Sequence, residues 1–206
     1  MKRKNIKHLY NNTLFFLENG FTNIALIPCS DYTWEDNEYK EFQQQMKMIG
    51  KLFIKRMESN TPFDFSLISQ HIKNALSGFS KPHCDAILGE ITILPNGEIL
   101  PCSGFVGCKN EKEFHIGSIY EGIDEMKLET FLNKHKLLNN RQCEKCVLFD
   151  RCQNDCLALN NRINNNILIP DDTSCNINSI LIKEVDNILA HFISTDNKLF
   201  KELYKV

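Results

Sequence analysis

The residues of this chain best suited to metal or redox chemistry are its nine cysteines, a large number for 206 residues. Thiolates bind zinc and iron–sulfur clusters, and in a reducing compartment metal binding or catalysis explains many cysteines better than a disulfide framework does. The count is also odd, so any disulfide scheme leaves one thiol over. Seven cysteines carry the pattern considered below: Cys84, Cys102, Cys143, Cys146, Cys152, Cys156 and Cys175.

Four of these cysteines form a compact motif between residues 143 and 156. The intervals are two residues after Cys143, five after Cys146 and three after Cys152, and Cys175 follows Cys156 after eighteen more residues. Two cysteines separated by two residues can reach one metal from a single tight turn. We therefore interpret this segment as shaped by its ligands rather than by a helical or strand period.

The two earlier cysteines flank a predicted β-hairpin. Residues 90–94 and 98–100 are apolar and partly β-branched, and Asn96-Gly97 between them is a strong hairpin signal. Because Cys84 and Cys102 lie just outside the two strands, the hairpin predicts that both cysteines lie at the same end.

Taken together, these spacings resemble the signature of the SPASM domain. This domain carries auxiliary clusters in many radical S-adenosylmethionine (SAM) enzymes that modify peptides and proteins. All seven cysteines and Gly97 match, over residues 81–180. The resemblance implies two 4Fe–4S clusters with interleaved ligands. Cys84, Cys102 and Cys156 would hold the first cluster. The second would have four ligands, namely Cys143, Cys146, Cys152 and Cys175.

The first cluster has only three ligands in this assignment. Its fourth iron site could be open, as in some family members where a substrate thiol is proposed to bind, or it could take Cys108, six residues past Cys102. His83 is a further alternative, although it is more simply an exposed residue beside a ligand.

Residues 101–107 and 114–119 also resemble members that form thioether cross-links in peptides. Ser103 stands where those members have His and where sulfatase-maturating members have an Asp as proposed base. A serine is a poor base near neutral pH without help, so we favour the thioether-forming type over sulfatase maturation.

The resemblance also predicts a missing part. Radical SAM enzymes bind their catalytic cluster through C-x3-C-x2-C, and here Leu159 stands where the third cysteine should follow Cys152 and Cys156. The chain should therefore not cleave SAM alone, and it remains open whether it acts as an enzyme at all. SAM would bind only if a partner or an N-terminal part supplies the site. We expect a gene fragment, a subunit of a split enzyme or a free-standing descendant, with a radical SAM catalytic domain or subunit and a peptide or protein substrate as partners.

The hydrophobic pattern divides the chain near residue 80. Helical periodicity up to Leu17, an apolar run over 21–28, and further helical stripes over 42–57 and 63–77 predict helix–strand–helix units, with one strand buried on both faces. Residues 1–80 resemble the last units of a partial (β/α)6 radical SAM barrel. The fold class is thus an α/β remnant, followed over 81–206 by a small α+β SPASM domain with one hairpin and cluster-bound loops. That domain would include a helix over 123–138 and a last helix beginning near Thr173.

No catalytic residue is assigned. Cys29 would lie at the carboxyl end of the barrel strand, but a small residue ending a buried strand is the simpler interpretation. Trp34 and Tyr32 are similarly better explained by packing. The acidic residues Glu35 to Glu38 suit the amino end of a helix.

Charge and hydropathy exclude several classes. The net charge of −2 gives no general attraction to nucleic acid, and no stretch has the length of a membrane span, so we expect a cytoplasmic protein. Two other functions remain open. One is a structural zinc module for partner binding, held by Cys143, Cys146, Cys152 and Cys156, which leaves the other three cysteines of the pattern unexplained. The other is disulfide exchange at Cys143 and Cys146, which lacks a thioredoxin-like context.

Overall fold

The computed structural model describes residues 1–29, 33–77, 86–136, 142–152 and 156–206. The chain forms two compact units. Unit 1 comprises Met1–Lys81, Asp150–Cys152 and Thr173–Val206, and unit 2 comprises Pro82–Phe149 and Gln153–Asp172. No helix in the described ranges combines the length and the apolar character needed to cross a bilayer.

Unit 1 consists of helices around a two-stranded parallel sheet. A 3-10 turn, Arg3–His8, leads into the first helix. The helices are α1 (Leu9–Glu18), α2 (Asp36–Glu58), α3 (Ser66–Leu76), α6 (Asp172–Thr195) and α7 (Lys198–Tyr204). The strands are β1 (Asn23–Ile24) and β2 (Asp64–Phe65), with Asn23 opposite Asp64 and Ile24 opposite Phe65.

The core of unit 1 follows the helical periodicity of the sequence. The stripe predicted on α2 is buried along its whole length: Phe42, Met46, Ile49, Phe53 and Met57. Apolar residues of α6, among them Leu181, Ile188 and Phe192, belong to the same core cluster. The acidic residues predicted at the amino end of a helix lie at the start of α2, where the carboxylates of Glu35 and Glu38 also form a capping box.

The predicted strand over 21–28 is wrong in its extent and burial. Only Asn23 and Ile24 pair, and Ile27 is 82% exposed. The sequence also predicted a single strand in this half, whereas β2 pairs with β1. The ladder is short because β2 gives way to α3 at Ser66, whose hydroxyl then accepts the Leu26 amide at 2.9 Å.

Unit 2 contains a four-stranded antiparallel sheet in the order β3-β4-β5-β6. The strands are β3 (Thr92–Ile93), β4 (Glu98–Leu100), β5 (Gly117–Ser118) and β6 (Gly122–Ile123), accompanied by helices α4 (Glu125–Lys136) and α5 (Leu157–Asn164). The predicted hairpin is confirmed as β3–β4, with Gly97 at a φ of +87° in its turn. The helix predicted over 123–138 is confirmed as α4 over Glu125–Lys136, whereas Ile123 belongs to β6 and residues 137–138 lie outside the described residues.

The sequence predicted only one hairpin, so the strands β5 and β6 were not predicted. Helix α5 was not predicted either. The strands β5 and β6 carry glycine where the backbones meet: a Cβ on Gly117 would lie 2.2 Å from the carbonyl oxygen of Gly122. Glycine lowers the sequence signal for a strand, which explains why this pair went unrecognised.

The last helix does not belong to the second unit. It was grouped with residues 81–206, but from Thr173 onward it lies in unit 1. Its apolar face shares a core with α2 and α3, and burial of that face decides where the helix packs.

Candidate metal centre

Cys102 lies directly after the hairpin, at the end of β4. It is 7% exposed and has an extended backbone, and the 3-10 turn Ser103–Phe105 begins at the next residue. In the turn of the same hairpin, the amide of Asn96 donates to Glu98 at 2.7 Å and lowers the pKa of that carboxyl. At the other end of the hairpin, away from this turn, the Cys102 thiol is buried.

The chain just after Cys84 lies beside this end of the hairpin. Cys84 and His83 themselves are outside the described residues. The amide of Ile87 is shared between the carbonyl oxygens of Glu90, at 2.9 Å, and Pro101, at 3.0 Å. Ile87 has a φ of +69°, which a β-branched residue adopts only when its surroundings hold it there. This segment is consequently fixed next to the residue that precedes Cys102.

The amino end of α5 packs against the turn that follows Cys102. A Cβ on Gly104 would lie 2.7 Å from the Cβ of Ala158 and 3.4 Å from the Sγ of Cys102. Ala158 is in the first turn of α5, and Cys156 is the residue immediately before this helix. Since Gly104 has no side chain, the amino end of α5 can approach the Cys102 thiol closely. Cys102 and Cys156, the two described members of the first predicted ligand set, thus belong to one corner of unit 2.

Side chains of α5 hold this corner together. Arg162 donates through Nε to the carbonyl oxygen of Gly104 at 2.9 Å and through Nη2 to that of Val106. The amides of Asn161 and Asn110 exchange hydrogen bonds of 2.7 and 3.3 Å. Asn160 is fully buried and donates to the carbonyl oxygen of Ile167 at 3.1 Å. None of these residues was singled out from the sequence, because the residues of α5 have no clear helical period of apolar positions that would predict the helix.

Cys108, the alternative fourth ligand, lies on the same segment. It is 9% exposed, and its thiol contacts the carbonyl oxygen of Gly104 at 3.8 Å. Cys108 and Cys102 both belong to the apolar core of unit 2 around Phe105. The structure therefore leaves Cys108 near the Cys102 turn but in a hydrogen bond of its own.

The remaining predicted ligands lie in three different parts of the structure. Cys143 and Cys146 occupy one tight turn, in which the amide of Cys146 donates to the carbonyl oxygen of Cys143 at 2.8 Å. Cys152 follows Arg151, which forms an ion pair with Asp186 of α6. Cys175 is exposed in the first turn of α6.

The donor set fits an iron–sulfur cluster in kind, because every candidate ligand other than His83 is a thiol. Among the described residues, no three His, Cys, Asp or Glu side chains converge as a metal site in this geometry. Two features nevertheless suit a cluster at the Cys102 corner: the Cys102 thiol is already shielded from water, and Cys156 lies at the residue before α5.

The first half of the chain shows packing where chemistry was considered. The amide of Cys29 donates to the carbonyl oxygen of Met1 at 2.8 Å, and its own carbonyl oxygen accepts Trp34 Nε1 at 3.0 Å. The Trp34 ring is buried, 5.6 Å from the ring of Tyr39 and 5.5 Å from that of Phe42. Trp34 therefore has the packing role that the sequence favoured, while Tyr32 lies outside the described residues.

Comparisons with known proteins give a fold and no family. No family model and no curated protein matches the chain. It is similar to solved structures of anSMEcpe, an anaerobic sulfatase-maturating enzyme of the radical SAM/SPASM class. The histidine-tagged enzyme with bound AdoMet has a TM-score of 0.69 and 15% identity, over 94% of this chain and 53% of that one. The native enzyme with bound AdoMet and Kp18Cys peptide has a TM-score of 0.65 and 16% identity, over 94% and 56%.

The chain is similar in fold to part of these structures. It spans about half the length of the structures it resembles. The preference for a thioether-forming type, drawn from residues 101–107 and 114–119, finds no support in these neighbours, which are structures of a sulfatase-maturating enzyme. Ser103 itself is an exposed residue at the start of the 3-10 turn.

Proposed function

We propose that this chain is the auxiliary iron–sulfur module of a radical SAM enzyme that modifies peptides or proteins. The observation that carries the proposal is the corner of unit 2 where the amino end of α5, with Cys156, packs on the turn after Cys102. The resemblance to the SPASM domain implies that these two residues belong to one ligand set. The fold similarity to a radical SAM enzyme supports the same interpretation from a separate direction.

In this proposal the first cluster is held by Cys84, Cys102 and Cys156. A 4Fe–4S cluster, when bound, supplies one-electron transfer or an iron site that anchors a ligand. The chain's own residues set the surroundings of the thiols. Burial keeps water from Cys102, and Arg162 fixes the turn by its bonds to Gly104 and Val106 while adding a positive charge to the corner. Hydrogen bonds and burial of this kind tune the reduction potential of a cluster.

The second cluster is assigned to Cys143, Cys146, Cys152 and Cys175. This assignment rests on the resemblance and on the two-cysteine turn, whose geometry suits two thiolates on one metal. The division into a barrel part over 1–80 and a cluster part over 81–206 belongs to the same proposal, with the last helix packed in unit 1.

The zinc alternative needs Cys156 in one site with Cys143, Cys146 and Cys152. We consider the zinc site weaker for one reason. Cys156 immediately precedes α5, the helix that packs beside Cys102, and Cys102 is not among the four ligands of the zinc site. Disulfide exchange at Cys143 and Cys146 gains nothing from the geometry of that turn.

The radical chemistry itself would be supplied by a catalytic domain or subunit that binds SAM, and the substrate would be a peptide or protein. Of the two reaction types we favour thioether formation over sulfatase maturation, because the serine at position 103 is a poor base near neutral pH.

The test is the iron and acid-labile sulfide content of the full chain after anaerobic reconstitution, with EPR of the reduced protein. Two clusters correspond to about eight irons and eight sulfides per chain. The double variant Cys102→Ala/Cys156→Ala should lose about half of both, whereas the control Cys29→Ala should lose neither. Stoichiometric zinc without sulfide would refute the proposal. A Cys108→Ala variant with full iron would exclude Cys108 as the fourth ligand.

A further inference from the structure

A cavity of about 270 Å³ lies in unit 1, next to the residues that precede β1 and β2. Its apolar wall includes Met57 of α2 and Phe63, and its polar groups are Asp64, Ser69, Lys73 and Tyr204. This volume suits an amino-acid-sized molecule rather than a larger cofactor. The cavity contains no cysteine and has no part in the cluster proposal.

The hydroxyl of Ser69 is the most informative group in the cavity. Ser69 is 4% exposed, and its Oγ has no partner of acceptable hydrogen-bond geometry, although the Tyr204 side chain is near enough to interact with it. A buried polar group without a partner is rare, because desolvation is then uncompensated. A ligand in this cavity would supply the missing bond.

Tyr204 adds a second hydroxyl to the cavity, close to Ser69. Burial is the main cause that raises its pKa, and the Asp64 carboxylate raises it further, while the nearby Ser69 opposes the rise. The phenol therefore stays protonated and can donate a hydrogen bond.

The cavity also carries one charge of each sign. Lys73 lies four residues after Ser69 on α3, so both side chains lie on the same face of the helix. Asp64 lies on β2, where its backbone amide donates to the carbonyl oxygen of Thr22 at 2.8 Å. The ion pairs of the described residues include neither Lys73 nor Asp64. A molecule with a carboxylate and an ammonium group matches both.

We propose that this cavity binds a small zwitterion with an apolar side chain, such as a free amino acid. The carboxylate contacts Lys73 and the Ser69 hydroxyl, the ammonium group contacts Asp64, and the side chain packs against Met57 and Phe63. The site lies at the amino ends of the parallel strands, whereas the active sites of parallel α/β folds lie at the carboxyl ends. It is therefore a binding site and not a reaction centre.

The test is an NMR titration of the full chain, labelled on its methionine methyl groups, with L-leucine as the probe. The Met57 methyl should shift in a saturable way. The Met46 methyl, fully buried elsewhere on the same helix, is the internal control. L-leucinamide lacks the carboxylate and N-acetyl-L-leucine lacks the ammonium group, so both should bind more weakly.

Two variants test the contacts. Lys73→Met should weaken leucine binding about threefold to tenfold, as expected for one partly exposed ion pair. Lys55→Met removes an exposed lysine of α2 outside the cavity and should leave binding unchanged. Ser69→Ala removes the unpartnered hydroxyl, so it should weaken binding without lowering the melting temperature.

Three results would overturn the proposal: no Met57 shift up to the solubility limit of leucine, equal binding of all three compounds, or equal affinity of the two lysine variants. Each is independent of iron content, which is recorded on the same samples. Failure of the amino-acid binding proposal is thereby distinguished from failure of the cluster proposal.

Discussion

Replacing Gly104 with alanine tests the contact on which the cluster proposal rests. The added Cβ would lie 2.7 Å from the Cβ of Ala158, closer than such carbons approach in proteins, and 3.4 Å from the Cys102 thiol. Gly104 does not have a positive φ, so alanine suits its backbone and only the lack of space opposes the substitution. The amino end of α5 would have to move away from the turn.

Overpacking of this kind costs about 1–3 kcal/mol of unfolding free energy. The Arg162 bonds to Gly104 and Val106 lie on the same contact, so the displacement should also weaken them. Ala158→Gly alone should cost about 0.5–1 kcal/mol, because glycine is unfavourable within a helix. In the double variant Gly104→Ala/Ala158→Gly the clash is absent, so the two effects should be non-additive by about 1 kcal/mol or more.

The measurements are urea unfolding followed by circular dichroism and iron content after reconstitution, for both single variants and the double variant. Ser103→Ala, an exposed neighbour in the same turn, is the control and should be near neutral. We expect Gly104→Ala to lose iron from one cluster and the double variant to recover it. Additive free energies, or a Gly104→Ala protein with wild-type stability and iron, would refute the predicted packing of α5 beside Cys102.

Two further predictions concern unit 1. Burial raises the pKa of Glu184, a residue of α6 whose carboxylate lies against Gly50. Because the folded-state pKa lies above the ordinary value of 4.5, stability falls as the pH rises from 4.5 through the folded-state pKa. Glu184→Gln should therefore stabilise the protein at pH 7. The gain should be less than about 1 kcal/mol, because solvent and nearby lysines screen the charge. The variant should also lose this part of the pH dependence of chemical unfolding, and an unchanged pH profile would contradict the prediction. Phe15, Phe16 and Phe21 form an exposed aromatic cluster, 60%, 42% and 58% accessible. The isolated chain should consequently self-associate in gel filtration, and Phe15→Ser/Phe21→Ser should reduce this more than Ile193→Ser, while a monomer at high concentration would count against it.

The sequence determined those features that depend on local spacing. Helical periodicity placed α2 and its buried stripe correctly, because a helix repeats its apolar face every three to four residues. Asn96-Gly97 fixed the β3–β4 hairpin, since its turn needs positive φ. The resemblance carried by the cysteine spacing implied that Cys102 and Cys156 share a cluster, although the residues between them gave no sign of a contact.

Tertiary structure decided what depends on residues far apart in the chain. The length of β1 is limited by its partner strand β2, and no local sequence pattern predicted β2. The glycine pair of β5 and β6 is explained only by the approach of the two backbones. Helix α6 lies with unit 1, although it follows the cysteine motif in sequence, because its apolar face is buried in the core shared with α2. Likewise Gly104 matters because Ala158, more than fifty residues later, packs where a side chain would be. Spacing along the chain can name ligands, but packing between elements decides which of them meet.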